Sequence, residues 1–396
     1  MRIAHLADAH LGIRQFQRLD PDGVNRREAD VAAAFRNALD AVVARAPDAV
    51  IIAGDLFHSV RPTNRSIIEA FTQLARLRRA LPETPVVLIA GNHDTPRSSE
   101  AGSILKLMAS LGVDVVDEAA RRLVYPALGL AVLAVPHAAL ASGAGAAARP
   151  WLPDPGARHN VLVLHPEIAG MFPETGVLDY GGARVEAAEL TAEAWSYIAL
   201  GHYHVVTEVA PRCWYSGSLE YTSPNIWGER QIEAAQHLTK GFLLADLEQG
   251  TTQQVPLPPA RRVHDLPPLD AVGMTASELD AAIAGRVAGV AGGIADTVTR
   301  LVVRNVPRTL AHALDHAALR ALRAEALHFH LDLRRPEPLG RTVGVGGPGP
   351  RRTLPDVVAD YLARRPLDAE LDRDRLVTLG RATMEAVERD LAEQEA

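Results

Sequence analysis

Over the first two-thirds of the chain, short unbroken apolar runs alternate with stretches whose apolar residues recur at helical spacing. The runs Arg2 to Ala7, Ala49 to Ala53, Val86 to Ala90, Ala131 to Pro136, Val161 to His165 and Tyr197 to Gly201 lack the polar alternation of a half-exposed strand. They predict strands covered on both faces, with amphipathic helices at Val31 to Arg45 and Ile67 to Leu81 as part of the cover. Strands and helices in this succession build a layered α/β fold. Polar residues gather just after the strands, at Asp8 to His10, Gly54 to His58, Gly91 to Asp94, His165, and Gly201 to His204. Ligands of such sheets collect beyond the carboxyl ends of the strands, so these loops, far apart in sequence, are expected to converge.

The stretch Pro256 to Pro268 carries Pro256, Pro258, Pro259, Pro267 and Pro268 and reads as a connection to another unit. This gives a first domain over 1–258 and a small α/β cap over 259–340, with a strand at Thr299 to Val306, a helix at Leu310 to Glu325 and a strand at Ala326 to Leu333. A flexible linker follows over 341–353, around Gly344 to Pro350, and then a helical segment over 354–396. Its helices, Leu354 to Tyr361 and Leu371 to Ala392, are amphipathic, and their apolar sides need a partner or the cap to pack against. A length of 396 residues suits two or three such units.

Composition narrows the chemistry. A hydrophobic share of 47% supports an ordinary core without staples. The lone Cys213 excludes an internal disulfide and a thiolate-rich zinc site, and fits a reducing cytoplasm. The chain enters a strand at once with no secretory leader, and no apolar segment is long enough to span a bilayer, so no membrane role is expected. A net charge of −7 offers no global attraction for a polyanion, so nucleic-acid binding would need local arginines and divalent cations. Lys106 and Lys240 are the only lysines among many arginines, which reads as coding bias.

Asp8 and His10 stand two apart at a strand end, where one loop can aim a carboxylate and an imidazole into one cleft. That donor pair suits manganese, iron or zinc better than calcium. Gly54 permits close backbone approach, and Asp55 offers a carboxylate able to span two ions. Asn92 adds a neutral carbonyl oxygen, and His93 beside Asp94 is an imidazole that a carboxylate could steer for proton donation. Taken singly, Asp-x-His reads as a cap beside an exposed histidine and Gly-Asn as a turn. Single histidines at strand ends are mostly structural, and His5, His137, His159, His237 and His264 are set aside on that ground. The ordered set of Asp8/His10, Asp55, Asn92/His93/Asp94, His165 and His202/His204, each member after an expected strand, is far more specific.

That set resembles the calcineurin-like metallophosphoesterases and, more narrowly, the SbcD and Mre-type nucleases of DNA-break repair. The segments RIAHLADAHLG (Arg2 to Gly12), IAGDLFHSVRP (Ile52 to Pro62) and AGNHD (Ala90 to Asp94) carry the narrower likeness. YSGSLE (Tyr215 to Glu220) and KGFLLADL (Lys240 to Leu247) resemble that branch's return to the second half of the sheet. The likeness is strong over about residues 1 to 270.

The resemblance implies a β-sandwich flanked by helices and two divalent ions, Mn²⁺ by expectation. One ion would be held by Asp8, His10, Asp55 and His204, the other by Asp55, Asn92, His165 and His202. Water activated between them as hydroxide would attack the phosphodiester in line. His93, steered by Asp94, would protonate the leaving oxygen, and His58 would contact phosphate or orient DNA, unless it only caps the following helix. Arg61 is a further phosphate-contact candidate. Pro166, directly after His165, departs from the polar residue expected there and touches on substrate contacts rather than ion binding.

The implied function is a 3′-to-5′ exonuclease and single-strand endonuclease, paired with an SbcC-type ATPase that binds the C-terminal helices. A homodimer would form through Ile67, Ile68, Phe71, Leu74, Ile104, Leu105, Met108 and Leu111, although the same spacing would also pack those helices on their own sheet. A phosphodiesterase or phosphatase for small nucleotides or lipid-linked substrates is the alternative with the same metal site.

Overall fold

The computed structural model describes residues 1–96, 102–142, 151–171, 181–336, 353–365 and 372–394. These fall into two units, Met1–Pro336 and Glu337–Ala396. The linker expected around Gly344 to Pro350 lies outside the described residues.

The first unit holds two six-stranded mixed sheets. One runs, in spatial order, Thr251–Pro256, Gly241–Asp246, Arg2–Leu6, Ala49–Ile52, Val86–Ile89 and Asp114–Val116. The other runs Thr207–Ala210, Cys213–Tyr215, Tyr197–Leu200, His159–Leu164, Leu130–Val135 and Arg121–Tyr125. Alternate residues of each strand face opposite ways. Ile3, Ile51, Val87 and Ile89 of the first sheet therefore meet Val132, Val161, Val163 and Ala199 of the second in a core between the sheets. Leu6, Val50, Ile52 and Leu88 turn outward against Phe35, Leu39 and Val42 of helix Arg26–Arg45 and Leu74 and Leu77 of helix Asn64–Ala80. This double cover is why the apolar runs show no alternation.

All six strands expected from the apolar runs are present, each within two residues of its anticipated limits. Of the two returning segments, Cys213–Tyr215 lies in the second sheet, while residues 241–246 pair antiparallel with Arg2–Leu6 in the first, between that strand and Thr251–Pro256.

Residues 263–333 add a parallel three-stranded sheet, Val263–Asp270, Val298–Arg304 and His328–Leu333, with helices against one face. The expected helix Leu310 to Glu325 is two helices, Arg308–Ala313 and His316–Glu325, because Asp315 caps a new start with bonds from the Ala317 and Ala318 amides. Pro267 and Pro268, read as linker, lie in an edge strand where the register slips between Leu266 and Leu269. An edge strand with a bulge is where a sheet tolerates residues without an N–H.

Of the residues named for a dimer, Leu74, Leu105 and Met108 are fully buried in their own core. Ile67, Phe71, Ile104 and Leu111 are half-covered against it, and Ile68 is exposed. Residues 104–111 form a 3-10 helix. In the second unit, helices Leu354–Arg364 and Arg373–Gln394 pack on each other, with Val357, Tyr361, Leu379 and Val387 exposed. Among the described residues, no helix is long and apolar enough to cross a membrane.

Candidate metal centre

The loops after the strands are tied to each other by the backbone before any side chain is considered. Asp8 and His10 amides donate to the carbonyls of Gly54 and Asp55 at 3.1 and 2.9 Å, and the Gly201 amide donates to Leu164 at 3.1 Å. The backbone turns sharply at the polar positions: Asp8, His10, Asp55 and His202 have φ of 53°, 48°, 51° and 96°. Left-handed conformations at non-glycine residues cost energy and gather where a side chain must be aimed. Gly54 and Gly91 let the loops close, since a Cβ on Gly54 would overlap the His165 ring and one on Gly91 the Asp55 carboxylate.

The side chains of Asp8, His10, Asp55, Asn92, His165, His202 and His204 are brought to one place. His10 Nε2 lies 3.0 Å from His204 Nε2 and 3.7 Å from Asp55 Oδ2. His165 Nε2 lies 3.2 Å from the same Asp55 oxygen, 3.0 Å from Asn92 Oδ1 and 3.9 Å from Asp8 Oδ1. His202 Nδ1 is 3.1 Å from Asn92 Oδ1, and its amide donates to both Asp8 oxygens at 3.0 and 3.1 Å. Two groups thus form, Asp8/His10/His204 and Asn92/His165/His202, and Asp55 Oδ2 stands between them.

These spacings fit cations. Nitrogen and oxygen ligands bound at about 2.1 Å stand roughly 3.0–3.4 Å apart around one ion. His165 Nδ1 is 2.7 Å from the Ala53 carbonyl, which takes the Nδ1 proton and leaves Nε2 as the atom that faces the oxygens of Asp55 and Asn92. Either a proton on Nε2 or a cation between these groups makes that arrangement favourable. Without a cation, the ring takes the proton. Burial opposes charge on His165, yet Asp55, then Asp8, raise its pKa to about 9. Burial, helped by the neighbouring His204, His93 and His58 rings, holds His10 well below the usual imidazole range. Burial also raises Asp8 to about 6, while Asp55, equally buried, is held well below the usual carboxylate range by His165 and His10.

His93 and His58 form the other edge of the cleft. Their rings stack at 5.1 Å, and His58 Nδ1 lies 3.3 Å from His10 Nδ1. Thr63, not His58, caps the following helix. Arg61 is exposed. The steering of His93 by Asp94 takes another form than expected. His93 Nδ1 is 2.8 Å from the His58 carbonyl, and its amide donates to Asp55 Oδ1 at 2.9 Å. The Asp94 carboxyl instead accepts the amides of Leu56, Phe57 and Gly91 at 3.0, 3.0 and 3.3 Å, clasping two loops together. Burial and the Asp55 charge nonetheless raise Asp94 to about 7. Pro166 begins a short strand, Pro166–Ile168, directly after His165.

Behind His204 lies a charged group that the sequence did not reveal. Glu229, on helix Ile226–Gln236, is fully buried with Oε1 3.5 Å from His204 Nδ1. Lys240 pairs with Glu229 and with Glu233 and donates to the His204 carbonyl at 2.8 Å. Burial would raise Glu229, but Lys240 and His204 hold it at about 2. The available signal was Lys240 itself, one of two lysines in a chain that otherwise uses arginine.

Residues 1–206 match the family model described as calcineurin-like phosphoesterase. The chain is 27% identical over 252 residues to the DNA double-strand break repair protein Mre11 of Saccharolobus solfataricus, covering 63% of this chain and 61% of that one. It is 28% identical over 270 residues to the protein of the same name from Methanopyrus kandleri, covering 63% and 55%. A third, from Sulfurisphaera tokodaii, is 27% identical over 256 residues, covering 62% and 59%. The chain thus spans less than two-thirds of the length of these relatives.

Proposed function

The chain belongs to the calcineurin-like phosphoesterases, and from that premise we propose that it is a nuclease that hydrolyses DNA phosphodiesters with two divalent cations, Mn²⁺ by preference. The observation that carries the reading is the gathering of six donor side chains from both sheets around the Asp55 carboxylate. The likeness to proteins named for DNA double-strand break repair supports DNA over a small diester.

Asp8, His10, Asp55 and His204 would hold one cation, and Asp55, Asn92, His165 and His202 the other. Bound there, the pair supplies Lewis-acid activation of a phosphodiester and of water. The protein's own part is orientation and proton handling. With Nδ1 committed to the His58 carbonyl, His93 would carry and release a proton at Nε2 toward the leaving oxygen. His58, stacked on it, would meet the phosphate. The same reading includes 3′-to-5′ exonuclease and single-strand endonuclease activity beside DNA in the cytoplasm. It adds a homodimer through Ile68 and its half-covered neighbours, and an SbcC-type ATPase bound on the exposed apolar residues of the helices 354–394. The domain division keeps the nuclease at 1–258, the cap at 259–340 and this partner-binding segment at 354–396.

The test is purified protein with labelled hairpin, blunt and single-stranded DNA and with a small chromogenic diester, with and without Mn²⁺. DNA cleavage that chelation abolishes, and that His93→Ala reduces strongly without loss of bound Mn²⁺, is expected. Full-rate cutting after verified metal removal refutes the reading, and turnover of the small diester alone transfers it to a different substrate.

A further inference from the structure

Histidine ligates through a nitrogen without a proton, so a ligand position is defined only when something decides where the ring's single proton sits. For His165 the Ala53 carbonyl decides it. For His204 the question is acute, because its Nε2 lies 3.0 Å from His10 Nε2. A proton on either nitrogen would close this pair as a hydrogen bond and remove a donor from the Asp8/His10/His204 group.

Thr222 and Glu229 face His204 Nδ1. Thr222 Oγ1, at 3.4 Å, can donate or accept and so does not choose. Glu229 Oε1, at an ion-pair distance of 3.5 Å, is acceptor-only while ionised, so its charge favours the proton on Nδ1. Lys240 fixes that carboxylate, pairing with its other oxygen while donating to the His204 carbonyl and, at 3.0 Å, to Ser218 Oγ. One buried ammonium thus grips the backbone of His204 and the carboxylate beside its ring. Burying such charges gains little stability over apolar residues of the same size, which points to a role in aiming the ring.

We propose that Glu229, anchored by Lys240, is a positioning residue that fixes His204 as an Nε2 ligand and thereby sets the affinity of the Asp8/His10/Asp55/His204 site for a divalent cation. This rests on the two-cation reading above. Its sharpest consequence concerns Glu229→Gln. Lys240 would take the amide oxygen, turning the NH₂ toward His204 Nδ1, and the favoured proton position would move to Nε2.

The experiment uses the full chain stripped of metal. Long-range ¹H–¹⁵N spectra of the histidine rings read the tautomers, and calorimetric titration with Mn²⁺ reads two affinities. Expected are an Nδ1–H His204 in the wild type and a shift toward Nε2–H in Glu229→Gln. One of the two Mn²⁺ affinities should fall about 10- to 100-fold in that variant, the range for loss of such a supporting partner. The other affinity, and both in Thr222→Val, should stay near wild type. An Nε2–H His204 in the wild type overturns the proposal even if the Gln variant fails to fold. Unchanged affinities in a folded Glu229→Gln overturn it too. Wild-type protein that binds no Mn²⁺ rejects the two-cation reading itself, whereas two ions bound equally by wild type and variant reject only the role of Glu229.

Discussion

Replacing Asp94 by alanine separates two ways in which an aspartate beside a catalytic-type histidine can matter. In the structure its carboxyl serves three buried amides, those of Leu56, Phe57 and Gly91. A buried amide left without a partner costs about 1–3 kcal/mol, so the set is worth about 3–6 kcal/mol after partial relaxation. Part of this is offset, because burial and the nearby Asp55 charge already disfavour the Asp94 anion. A net loss of about 2–4 kcal/mol is expected for Asp94→Ala. Asp94→Asn keeps one acceptor and turns an NH₂ against the remaining amides, for a loss of about 1–2 kcal/mol. Urea denaturation of the metal-free protein measures both, with slopes close to wild type if only the folded state is affected. DNA cleavage, assayed well below every unfolding midpoint, should fall as the Gly91 and Asp55 loops drift apart. If Asp94→Ala is as stable as wild type within about 0.5 kcal/mol yet loses cleavage, the clasp is wrong and Asp94 acts on the His93 ring after all.

Three further outcomes follow from named contacts. Arg27 is buried between Asp30 and Glu220 and donates to the Tyr221 carbonyl; Arg261 still pairs with Asp30 in Arg27→Met, but the buried Glu220 carboxylate loses its arginine, and the change should cost about 3 kcal/mol in denaturant unfolding. Burial lowers His5, bonded to Tyr197, to about 3 from 6.5. The unfolded chain therefore binds the proton first, and stability falls as pH drops through that window by up to about 1.4 kcal/mol per unit, a slope His5→Gln should remove in melts at several pH values. Gly91→Ala would drive a methyl into the Asp55 carboxylate, so fewer than two Mn²⁺ should bind per chain by calorimetry, with the helix content in circular dichroism retained.

The sandwich was legible because strands such as Ala49–Ile52 and Val86–Ile89 are covered on both sides and leave an unmistakable apolar run. Edge strands such as Asp114–Val116 and Thr207–Ala210 are three or four residues long and only partly covered, too short to leave such a run. The proline pair at 267–268 concealed a strand because sequence alone does not tell an edge with a slipped register from a linker. At the centre, residue types and order revealed which side chains would meet. They could not reveal that Asp8, His10 and Asp55 sit in left-handed backbone, since nothing in an aspartate or histidine announces it. Nor could adjacency of His93 and Asp94 show that the carboxyl points to the amides instead, or that Glu229 reaches His204 from a helix across the fold.

The donor atoms hang from two separate sheets, with Asp8, His10, Asp55 and Asn92 following strands of one and His165, His202 and His204 following strands of the other. A cation seated there would therefore be a rivet through the seam of the sandwich. How tightly it is held and how firmly the halves stay shut would be one free energy viewed from opposite ends. Scarcity of metal would then show itself as a looser body, easier to digest and quicker to clump, and not only as a blunted blade.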